Sequence, residues 1–94
     1  MSNRKYIRTE RAPKAIGAYS QAVRCGQTVW ISGQIPLDPL SMEVIGNSDS
    51  DEGVRSQIEQ VFANLNCICE DSGGSLREIV KLNIFLTDMS HFHL

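Results

Sequence analysis

Residues 12–36 read APKAIGAYSQAVRCGQTVWISGQIP, and the fold turns on how they are divided. Two runs of strand-forming residues, 19–25 and 28–35, flank Gly26-Gln27. A glycine at the first central position suits a type II′ hairpin turn, because glycine reaches positive φ without a steric penalty. In the second run Val29, Ile31, Gly33 and Ile35 share one face, and Trp30, Ser32 and Gln34 share the other. Pro36 and Pro39 then end any ladder, since proline has no backbone donor. Two features of the stretch ask for a reason: Tyr19 close behind Gly17, and Gly33 within the most apolar strand.

Outward from the hairpin, residues 4–9 suit a short first strand, and 40–50 are polar and rich in turn formers. Asp49 followed by Glu52 resembles a capping box, with Ser50 and Asp51 as alternative caps. From about 52 to 71 the period becomes helical. Val54, Ile58, Val61, Phe62, Leu65, Ile68 and Cys69 form the apolar stripe, with Cys67 on its polar flank. Ser72-Gly73-Gly74 stops the helix. Residues 79–87, IVKLNIFLT, alternate again and read as a strand. Strand, helix and strand in this order predict a βαβ crossover, with 28–35 and 79–87 paired in parallel under the helix.

The bulk properties narrow the function. At 94 residues the chain is one domain, 1–94, whose modest core gains from a partner subunit. A net charge of −2 speaks against a nucleic-acid surface, and the basic opening MSNRKYIRTERAPK is broken by Tyr6, Ile7 and Glu10. No run of residues is long and apolar enough for a membrane helix, and the N-terminus lacks the apolar stretch of a secretory signal. Cys25, Cys67 and Cys69 are odd in number and lack a framework spacing, which fits reduced thiols in the cytoplasm. Cys67 and Cys69 point about 200° apart on a helix, and His91 and His93 have no companions, so no metal site is expected. On residue physics alone, Gly33 serves either as a bulge or close approach, or as an open backbone donor for a small ligand.

Three blocks, APKAIGAYSQAV at 12–23, ISGQIPLDP at 31–39 and IVKLNIFLTDMSHF at 79–92, resemble the reactive-intermediate (imine) deaminase family. This is the RidA or YjgF-type family, also known as endoribonuclease L-PSP or translation-inhibitor proteins. The resemblance implies an α/β (α+β), chorismate-mutase-like fold with a hairpin and a βαβ unit. It also implies a homotrimer in the complete protein, with a small-molecule cleft at each subunit interface. The implied reaction is hydrolysis of 2-aminoacrylate and 2-iminobutanoate to 2-oxo acids and ammonia, with no cofactor. Carried onto matching positions, Tyr19, Ser32, Gly33, Gln34 and Ser90 would contact the substrate. The family's carboxylate-binding arginine, in a Pro-x-Arg segment, and a later glutamate are not found within 1–94. The expectation is therefore a domain whose second half is incomplete, lacking its C-terminal helix and strands, and inactive alone. A non-enzymatic ligand-binding or regulatory trimer and an endoribonuclease or translation inhibitor are the alternatives.

Overall fold

The computed structural model describes residues 4–94; Met1–Asn3, the start of the basic opening, lie outside the described residues. Three short strands form one antiparallel sheet in the order β1-β2-β3: β1 Arg4–Ile7, β2 Ala22–Cys25 and β3 Thr28–Ile31. Cys25 pairs with Thr28 across Gly26-Gln27, so the hairpin has a two-residue loop. Gly26 has φ +62° and Gln27 is not among the residues with positive φ, the sign pattern of the expected type II′ turn. Both hairpin strands are shorter than the runs that suggested them, because a side-chain alternation outlasts the ladder it feeds.

The register sorts the sheet's faces. Ile7, Ala22 and Ile31 stand opposite one another on one face, and Tyr6, Val23 and Trp30 on the other. The first face is covered: Ile7 and Ala22 join Ala12 and Ile68 in the core, with Val29, Ile31 and Cys67 packed around them. The second is bare, with Tyr6 60% and Trp30 69% exposed.

The helix α1, Asp51–Asp71, supplies the cover. Its N-cap is Ser50, whose hydroxyl accepts from the Gly53 N–H at 3.0 Å. Its C-terminus closes as a Schellman motif: Gly73, at φ +94°, donates to Glu70 O and Gly74 donates to Cys69 O. Two arginines from the sheet region grip the same end. Arg24 donates to Ser72 O at 2.9 Å, and Arg11 pairs with Glu70 at 3.1 Å and Asp71 at 2.7 Å.

The inward stripe differs from the periodic pattern in two respects. Ile58, Val61 and Phe62 are only half-buried, while the polar Asn64 is 1% exposed. Asn64 is inside because its amide donates to Leu37 O at 3.1 Å and accepts from Gln60 at 2.9 Å, so burial leaves no polar atom without a partner. Cys67 also belongs against the core, not on the polar flank.

The expected parallel pairing of 28–35 with 79–87 does not form. Residues 79–86 run without regular structure and no described residue makes a ladder with them. Val80 is fully exposed and Phe85 92% exposed. Alternation makes such a run competent to be a strand, but only a partner that takes up its N–H and C=O groups makes it one. The hairpin, the helix and the α+β class stand; the closing strand of the crossover does not.

Candidate functional site

Between β1 and β2 the chain crosses residues 8–21 without a regular element, and this crossing carries Tyr19. The Tyr19 ring lies over Gly17: a Cβ added at Gly17 would come within 3.3 Å of the ring's Cε1. Gly17 is thus a seat for the tyrosine, which explains the pairing of the two residues. The phenolic oxygen accepts a long bond of 3.4 Å from the Ile16 N–H, and the residue is half-exposed.

Ser32 and Gly33 follow directly on β3. The Ser32 N–H donates to Gln21 O at 3.0 Å, and its hydroxyl donates to Ser20 O. Those bonds carry the hairpin contact beyond the ladder and bring the serine against the end of the Tyr19 segment. Gly33 has φ outside the positive region and nothing within 4 Å of a built Cβ. Neither backbone strain nor close packing therefore requires glycine at this position. Its N–H has no hydrogen-bond partner among the described residues. Gln34 folds back, its amide donating to Ser32 O and Gly33 O at 3.2 Å each.

Two adjoining concavities result, with Tyr19 as their shared wall. The larger, about 580 Å³ and open, is lined by Tyr6, Gly17, Ala18, Tyr19, Ser20, Val23, Trp30, Ile31 and Ser32. The smaller, about 30 Å³, lies among Pro13, Lys14, Ile16, Tyr19, Gln21, Gly33, Gln34, Ile35 and Leu37. Of the five residues named from the sequence, Ser32, Gly33 and Gln34 thus gather around Tyr19. Ser90 lines neither concavity. It belongs to a 3₁₀ turn, Met89–His91, where its N–H donates to Asp88 at 2.9 Å. The Ser90 hydroxyl, then its N–H, holds the Asp88 carboxyl below the usual carboxylate range.

Two lining residues had no role in the sequence argument. Lys14 is the charged residue of the smaller hollow, and Gln21 is a buried amide behind it. The available signal for Gln21 was indirect: an irregular crossing leaves backbone groups that some side chain must satisfy. Elsewhere, burial pushes the Cys69 thiol up, which keeps it protonated and inert. Among the described residues no group of three His, Cys, Asp or Glu side chains converges as a metal site requires. No helix among them is long and apolar enough to cross a membrane.

The fold and site together define a small α+β domain with an open hollow of small-molecule size on its hairpin. Residues 9–94 match the family model for Endoribonuclease L-PSP, and the chain belongs to that family. Among its relatives, the mouse 2-iminobutanoate/2-iminopropanoate deaminase is 40% identical over 89 residues, covering 95% of this chain and 62% of the relative. A mite protein of the same name, from Dermatophagoides farinae, is 37% identical over 92 residues, covering 98% of this chain and 68% of its own length. Among solved structures, RidA from an Antarctic Psychrobacter superposes with a TM-score of 0.83 at 48% identity, over 95% of this chain and 68% of that one. E. coli TdcF with bound serine gives 0.84 at 37% identity, over 95% and 65%. The chain spans about two thirds of the length of the curated relatives it matches.

Proposed function

We propose that the complete protein hydrolyses reactive imines and enamines such as 2-aminoacrylate and 2-iminobutanoate, as a cytoplasmic homotrimer with no cofactor. The observation that carries this reading is the open Gly33 N–H beside Tyr19, at a glycine that neither φ nor packing demands. A larger side chain there would cover the donor, and an unpaired amide in an open wall suits the carboxylate or oxo group of a small acid. The imine carbon is already electrophilic. Water adds to it to form a C–O bond, protons move to nitrogen, and the C–N bond breaks to release ammonia and the 2-oxo acid. Binding and orientation are what the protein has to supply. Tyr19, Ser32, Gly33 and Gln34 are the groups gathered for it, with Ser90 assigned by resemblance alone.

The deaminase names of relatives at 37–40% identity support the chemistry. The chain spans about two thirds of the length of its relatives, so the activity is proposed for the complete protein. Exposed Tyr6, Trp30 and Phe85 support a trimer, since association would cover them. A ligand-binding role without turnover is the second reading, favoured by the serine-bound relative. A net charge of −2 weighs against ribonuclease action.

The test is ammonia release from enzymatically generated 2-aminoacrylate by the complete protein, beside thermal melts. Gly33→Leu is expected to abolish hydrolysis and Tyr19→Phe to lower it, each with a native-like melt. Wild-type rates in both variants would overturn the assignment. Serine binding without any ammonia release would favour the second reading.

A further inference from the structure

Gln21 is 4% exposed, yet it belongs to no ladder. Its side chain is fully engaged. Oε1 accepts from the Thr9 N–H at 2.7 Å, and Nε2 donates to Pro13 O at 2.7 Å, Thr9 O at 3.0 Å and Ala12 O at 3.2 Å. All of these partners are backbone groups at the start of the crossing between β1 and β2. The main chain of the same residue works in the opposite direction, since Gln21 O accepts from the Ser32 N–H at 3.0 Å and its neighbour Ser20 accepts from the Ser32 hydroxyl. One residue therefore ties the near end of the Tyr19 segment, through its side chain, to the serine wall, through its backbone.

The interval it closes has little else to hold it. From Lys14 to Ser20 the hydrogen bond within the segment is the long one from Ile16 N–H to the Tyr19 oxygen. The ring's other seat is the bare Cα of Gly17. A segment without regular structure keeps a fixed shape only if its ends are fixed, and the cost of disorder grows with every residue left free.

We infer that Gln21 is the positioning residue of the site: its amide sets the distance between the Tyr19 wall and the Ser32–Gly33 wall. It touches no reacting atom and acts through Tyr19. Glutamate at this position has the same shape but offers acceptors to three carbonyl oxygens, and methionine has the length with neither donor nor acceptor. The inference rests on the deaminase reading only for its kinetic consequence; the geometric claim stands apart from it.

The experiment separates the two. The chain has two tyrosines, Tyr6 and Tyr19. Labelling the complete protein with 3-fluorotyrosine gives each a fluorine resonance, and Tyr6→Phe and Tyr19→Phe assign them. In Gln21→Glu and Gln21→Met, the Tyr19 resonance is expected to shift or broaden while that of Tyr6, held in the ladder of β1, stays in place. For 2-aminoacrylate, kcat/KM is expected to fall roughly tenfold to a hundredfold, the scale set by small misplacements of positioning groups. A residue that only stabilises the fold would lower the melting temperature and leave both resonances and the kinetics of folded protein unchanged. An unmoved Tyr19 resonance, or a moved one with wild-type kcat/KM, overturns the inference. So does failure of both variants to fold, which would assign Gln21 to the core. Should the wild type release no ammonia, the deaminase reading falls, and the fluorine shift alone decides whether Gln21 positions Tyr19.

Discussion

Ile7 and Ala22 lie under α1 with almost no contact with water, whereas Val80 and Phe85, in a run at least as apolar, stand almost entirely in it. The difference is not composition. In the hairpin the backbone N–H and C=O groups meet in the ladder, and carbonyls of the flanking segments are taken up by the buried amides of Gln21 and Asn64. Along 80–86 no described residue takes them up. Apolar side chains can be covered only where the backbone that brings them is also satisfied, so hydrogen bonding decides which apolar runs become core.

The strongest way to break this contrast is through Ile68, which is fully buried between the sheet and α1. Ile68→Ala should cost about 2–5 kcal/mol, the range for truncating a well-packed aliphatic side chain. Chemical denaturation of both forms measures it. A loss no greater than that of a surface variant would mean the sheet and helix are not clamped as described.

Next in size is the helix entry. Ser50→Ala removes the hydroxyl that accepts from Gly53 N–H and should cost about 1 kcal/mol, with Ser50→Gly costing less. An Asp49→Ala variant should leave stability almost unchanged. The reverse order would return the cap to Asp49, where the sequence also allowed it.

A smaller, pH-dependent effect is expected at Arg11. The Thr9 hydroxyl, and then Arg11, hold the Asp71 carboxyl below its usual range. A lowered carboxyl contributes its full share above the unfolded carboxylate pKa of about 4 and loses it as pH falls through the folded value. Arg11→Ala should therefore lower the melting temperature slightly at neutral pH and low salt, since both partners are largely exposed. The gap between the variant and wild type should close in acid. A gap that widened in acid would give the pair the wrong sign.

The smallest effect sharpens the contrast from the other side. Val80→Thr in this 94-residue chain should leave the melt unchanged, because Val80 is fully exposed. A loss comparable to Ser50→Ala would show that the run packs after all.

Legibility in the sequence followed the range of the interactions. The hairpin, the stop at Ser72-Gly73-Gly74 and the helix body could be read because Gly26, the two later glycines and the apolar repeat act on near neighbours. The gathering of Ser32, Gly33 and Gln34 around Tyr19 followed from folding one strand onto another. Asn64 and Gln21 could not be read, because their carbonyl partners lie far along the chain and an amide carries no periodic signal. The unpaired state of 79–87 was hidden for a similar reason: alternation reports which faces a strand would have, not whether another strand is there to meet it.

The grip of Arg24 and Arg11 on the end of α1 has a kinetic consequence. The first turn of the helix is held by near neighbours, the Ser50 cap and the adjoining loop at Gly46 and Asn47, and can fray without opening the sheet. The last turn is held by residues of the sheet region, so it cannot open unless those contacts open with it. In amide hydrogen exchange the helix should behave as two territories, a quick leading turn and a trailing turn that exchanges in step with β2 and β3. A strained hairpin turn at Gly26 would then quicken exchange at Gly73 and Gly74, making those two amides distant reporters of whether the hairpin is closed.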